Sequence, residues 1–104
     1  METIVLHQPR VAFDAARVLV EVSDANNEDL YVWYEDQLAK LLGSSYVNRL
    51  AATRHELRWS PRDDVRSVET GKWRVRLEEA LRTRAGVTER LHQLTLSAAS
   101  KITI

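Results

Sequence analysis

The sequence predicts an all-α fold: a compact bundle of four to five short antiparallel helices whose termini have extended-chain composition. Three observations predict it. Apolar residues recur at three- and four-residue spacing along most of the 104 positions. Capping residues and glycines punctuate these stripes. The connections between them are two to four residues long, which favours antiparallel neighbours in one bundle, here a single domain over residues 1–104.

Residues 3–6 (Thr-Ile-Val-Leu) are β-branched and apolar, and read as a short strand or a helical lead-in. Pro9 suits a first helical position, where its missing N–H would be unpaired anyway. Val11, Ala15, Val18, Leu19 and Val22 then share one helical face. The β-branched run over 18–22 leaves a strand as the alternative there. Ser23 to Asn27 form a turn whose Asp and Asn side chains can cap a following helix, with Glu28 and Asp29 at the positive end of its dipole. Leu30, Trp33, Tyr34, Leu38, Leu41 and Leu42 stripe that helix, and Gly43 sits where a left-handed terminal residue is wanted.

Ser44 or Ser45 is expected to cap a third helix, with Tyr46, Val47, Leu50, Ala51, Arg54 and Leu57 along one side. Ser60-Pro61-Arg62-Asp63 closes it and is expected to open the next, with Ser60 capping, Pro61 in the first turn and Asp63 at the dipole's positive end. Over 61–84 the apolar face rotates between Val65/Val68 and Trp73/Leu77/Ala80/Leu81, which predicts a break or kink at Glu69-Thr70-Gly71. Ala85-Gly86 ends that segment, and Val87, Leu91, Leu94 and Ala98 stripe a last helix. The tail from Lys101 to Ile104 has strand composition and is expected to pair with residues 3–6 or to fray.

Composition narrows function mainly by exclusion. The chain is 44% hydrophobic and 29% charged, ordinary globular values. It has no cysteine, which removes disulfides, thiolate metal sites and cysteine nucleophiles, and suits a reducing cytoplasm. A cytoplasmic location, with membrane association on activation, is the expectation, since no apolar run spans a bilayer and no secretion signal is evident.

Catalytic patterns are absent too. His7, His55 and His92 are too widely spaced in sequence to suggest a shared site, and the His55-Glu56 start of a zinc-protease helix fails because Trp59 stands where the second His belongs. Ser44 and Ser45 lack a nucleophile elbow. Asp63-Asp64 and Glu78-Glu79 splay apart on a helix, and three glycines make no phosphate loop. No enzyme activity, cofactor, metal or small-molecule substrate is therefore expected.

Charge and aromatic residues offer the partner signal. Net charge is zero overall, but residues 1–43 carry −5 and residues 44–104 carry +5. The favoured reading is that the two halves attract each other; a surface for nucleic acid or membrane is the alternative. Arg49, Arg54, Arg58, Arg62 and Arg66 recur every four or five residues. Trp33, Trp59 and Trp73 are expected in the core, with Trp59 the exception because it ends a helix beside Arg58 and Pro61. Arg54, Arg58, Trp59, Arg62 and Arg66 are the expected partner contacts. A protein partner or self-association comes first, a membrane next, and nucleic acid after these. A helix-turn-helix over 46–70 would place Asp63 and Asp64 against DNA at the start of its reading helix, which disfavours it.

Residues 33–94 also carry an ordered set of segments: Trp33 to Leu41-Leu42-Gly43, Arg49-Leu50 to Glu56-Leu57, Trp73-Arg-x-Arg-Leu-Glu-x-x-Leu81, and Glu89-Arg90-Leu91 to Leu94. This pattern resembles the Bell domains, helical modules of actinobacterial defence proteins found beside amyloid signalling motifs. The resemblance implies a helical signalling module acting on membranes in bacterial immunity and cell death. Residues 1–22 depart from the pattern, with five charges in place of a long apolar first helix, and no Gly- and Asn-rich motif follows residue 98. The resemblance transfers no functional residue.

Overall fold

A computed structural model describes residues 6–102 of the chain. Among them are five helices and no strand: α1 (Gln8–Asp24), α2 (Glu28–Leu42), α3 (Ser44–Trp59), α4 (Val65–Thr83) and α5 (Val87–Ile102). All five contribute to one apolar core.

α1 is the hub, packing against each of the other four and most extensively against α4. Its Ala12, Ala15 and Ala16 are wholly buried beside Leu19, Val20 and Val22. Small side chains on more than one face let neighbouring helices approach from several directions, which explains why its apolar residues spread wider than a single stripe. The β-branched run over 18–22 is thereby helical: burial on several sides outweighs its weak strand propensity. Pro9 lies in the first turn, where no N–H is lost from the ladder.

α2 follows its cues closely. The Asn27 side chain accepts from the Leu30 N–H at 3.1 Å, and Glu28 and Asp29 occupy the first turn. Gly43 alone joins α2 to α3. Its φ of 100° and ψ of 171° lie in a region open essentially to glycine, rather than in the left-handed helical basin the sequence suggested. Gly43 is also the residue that precedes α3, so the expected Ser44 or Ser45 cap is not made; both serines are in the first helical turn.

Two expectations for α4 are overturned. The helix starts at Val65, not at Pro61, and the Ser60 hydroxyl accepts only from the Arg62 N–H at 3.3 Å. Asp64 precedes α4, but its carboxylate turns to Arg62 instead of capping, so residues 60–64 form a loop. Nor does α4 break at Glu69-Thr70-Gly71; it runs unbroken through them. The apparent rotation of its apolar face has a polar cause. Glu69 is buried on the inward face, where the Thr53 hydroxyl donates to its Oε1 at 3.0 Å and Lys72 Nζ lies 3.3 Å from its Oε2. Thr53 in turn accepts from the Trp73 indole N–H at 2.7 Å. A charged residue therefore fills a place in the inward stripe that a hydrophobic pattern leaves blank.

Lys101 and Ile102 are the last residues of α5, so the tail begins as helix and not as strand. Residues 1–5 and 103–104, which would complete the expected terminal pairing, lie outside the described residues.

Candidate functional site

Two ion pairs link the acidic half of the chain to the basic half. Glu28 of α2 and Arg54 of α3 form a two-pronged pair, Nη1 to Oε1 at 3.3 Å and Nη2 to Oε2 at 2.5 Å. Arg66 at the start of α4 pairs with Asp24 at the end of α1. Both pairs join the acidic N-terminal part to the basic C-terminal part. Arg62 pairs locally with Asp64 at 3.0 and 3.1 Å.

These pairs divide the five expected contact residues into groups. Arg54 is half-buried, with its guanidinium carbon 3.9 Å from the centre of the Tyr31 ring. The hydrogen bonds from Arg54 are the main reason the Glu28 carboxyl is held below its ordinary value, and the same bonds raise Arg54. Burial is the main cause that raises the Tyr31 phenol. Arg54 is thus occupied within the chain and acts as a strut between α2 and α3. Arg62 is exposed in the α3–α4 loop, and Arg66 lines a different groove, between α1 and α4.

Arg58 and Trp59 differ from these. Both belong to the last turn of α3 and line the α2–α3 groove together with Arg54. Trp59 is 73% exposed, the largest exposure among the described large hydrophobic residues, and the tilted His55 ring lies 6.4 Å from its indole. Arg58 is exposed and forms no ion pair within 4 Å among the described residues, although its charge adds, after the Arg54 hydrogen bonds, to the lowering of Glu28. The other two tryptophans follow the core expectation to different degrees. Trp73 is wholly buried, while Trp33 is half-buried with the Lys101 ammonium 4.7 Å from its ring centre.

The buried Tyr31 and the exposed Ala51 line the groove, and Val32, 52% exposed, extends its apolar strip on the α2 side. Sequence reasoning missed Val32 because it lies off the buried stripe of α2; the signal available was an apolar residue on that helix's polar face. His55, Arg58 and Glu35 supply a polar rim. An apolar strip with a protruding indole, rimmed by unpaired charge, has the composition of a protein contact surface. It offers no nucleophile–base pair, and no group of three metal-ligating side chains occurs among the described residues. No described helix is long and apolar enough to cross a membrane.

No protein-family model matches the chain, and no curated protein or solved structure matches it either.

Proposed function

We propose that the chain is a non-enzymatic helical interaction module that docks a protein partner in the α2–α3 groove. The observation that carries this reading is Trp59, 73% exposed at a helix end in a groove that mixes apolar and charged side chains. Covering the rest of that indole is worth about 3–4 kcal/mol at roughly 25 cal/mol per Å² of apolar surface. The partner segment presents an apolar side chain to Trp59 and Val32, and beside it a carboxylate to meet Arg58. The resemblance of residues 33–94 to Bell domains gives the module a setting, as a signalling effector in bacterial defence and cell death that acts on membranes.

Nucleic acid is the weaker reading. Of the arginines that suggested it, Arg54, Arg62 and Arg66 already neutralise Glu28, Asp64 and Asp24. Few free cations then remain in that series to displace counterions from phosphates.

The test compares wild-type and Trp59→Ala baits in affinity capture, followed by reconstitution with the purified protein retained. A partner, or a second copy of this chain, held by wild type and lost by the variant supports the reading. Equal retention by both baits overturns the groove as the docking site. Leakage from liposomes at micromolar protein tests the membrane setting, and intact liposomes count against it.

A further inference from the structure

A second groove, between α3 and α4, carries a different chemistry. Arg49 from α3, Arg76 from α4 and Arg84 just beyond α4 line one cavity of about 490 Å³. None of the three has a carboxylate partner among the described residues, whereas Arg10, Arg17, Arg54, Arg62, Arg66, Arg74 and Arg82 each do.

Two of the three guanidiniums are held in place by aromatic rings. The Arg76 guanidinium carbon lies 5.3 Å from the centre of the buried Trp73 ring, and that of Arg84 lies 5.6 Å from the Tyr46 ring. Those rings are themselves 6.3 Å apart and tilted by 41°, so the two cations lie over neighbouring rings. Arg84 Nη1 also donates to the Leu42 carbonyl at 2.8 Å, which fixes its head and leaves its other donors unassigned. The single carboxylate in the lining, Glu79, is engaged by Arg82. Arg49 and Arg76 also border an adjoining groove with Glu56, Glu69 and Lys72, where Glu69 is taken by Thr53 and Lys72. Ser45 adds a hydroxyl and the first turn of α3, whose N–H groups no side chain caps.

We propose that this α3–α4 groove binds a multiply charged phosphate group, of the phosphomonoester or pyrophosphate kind. Arg76 and Arg84, positioned by the rings, and Arg49 face a single, already-paired carboxylate in this lining, Glu56 lying in the adjoining groove, and planar N–H forks match phosphate oxygens. The site is independent of the Trp59 groove, which lies on the other side of α3.

The test titrates inorganic pyrophosphate into the full chain by calorimetry. In parallel, the chain is sedimented with phosphatidylcholine vesicles with and without phosphatidic acid. Saturable binding that weakens with salt is expected, with Arg49→Gln and Arg76→Gln each losing about tenfold in affinity. Arg90→Gln removes an exposed charge on α5, outside the groove and without an ion pair among the described residues, and is expected to stay within about twofold, a difference too small to count as a lost contact. Trp59→Ala is expected to bind as wild type does, which separates this site from the protein-docking groove. Binding to pyrophosphate alone identifies a soluble phosphate ligand, and binding only to the phosphatidic acid vesicles identifies a lipid headgroup. No binding to either, or equal losses in all three arginine variants, overturns the site.

Discussion

Thr53 shows how much one residue can hold together. Its hydroxyl accepts from Trp73 and donates to Glu69, so it satisfies a buried indole N–H and a buried carboxylate at once. Thr53→Val keeps the shape and deletes both bonds. It is expected to cost about 2–3 kcal/mol in urea denaturation, because the buried Trp73 indole N–H and one oxygen of the buried Glu69 carboxylate lose their partner. A loss below about 0.5 kcal/mol would show the network to be unimportant. Surface ion pairs make a different prediction. Glu28 and Asp64 are held below their ordinary values of 4.5 and 3.8, chiefly by hydrogen bonds from Arg54 and Arg62. A depressed carboxylate stabilises the fold above its unfolded value, and that contribution fades as pH falls through the lowered folded value. Glu28→Gln is therefore expected to be less stable than wild type at neutral pH and to converge with it in acid, as thermal melts across pH will show. These residue-scale contacts were not legible in the sequence. Thr53 and Glu69 are sixteen positions apart, and Arg54 and Glu28 twenty-six, and no local pattern links them.

At the scale of the helices, the apolar stripes and glycines located α1, α2, α3 and α5, although the expected serine cap of α3 is not made and that helix buries only Leu50 and Thr53. α4 was misjudged at both its start and its middle. Pro61 and Asp63 looked like first-turn residues, but Arg62 draws the Asp64 carboxylate into the loop and the helix begins after it. Gly71 looked like a break, yet burial of Glu69 and Trp73 on either side carries the helix across it. Two glycines therefore behave oppositely. A Cβ at Gly71 meets nothing within 4 Å and the position is helical, so Gly71→Ala is expected to raise stability by about 1 kcal/mol. Gly43 has equal space but a φ of +100°, so Gly43→Ala is expected to cost about 1–3 kcal/mol. Thermal unfolding of the two variants checks both signs together; the same sign for both would contradict this account of α4 and of the α2–α3 joint.

Across the whole molecule, α1 sits at the centre, and the outer helices leave grooves of unlike character between them. The charge division between the halves was visible in the sequence, and Arg54–Glu28 and Arg66–Asp24 show part of its use, in holding the fold together. Exposure of Trp59 was also foreseeable, since a tryptophan at a helix end before Ser60-Pro61 has little to pack against. The convergence of Arg49, Arg76 and Arg84 was not, because it depends on how α3 meets α4. We propose that the Trp59 groove is where a protein docks. Its most direct test is the dissociation constant of the purified partner for wild type, Trp59→Ala and Phe13→Ala, the last altering an exposed aromatic on α1. Loss of a hot-spot residue costs about 2 kcal/mol or more, so Trp59→Ala should bind about thirtyfold more weakly while Phe13→Ala binds as wild type does. Unchanged affinity in Trp59→Ala would contradict the claim.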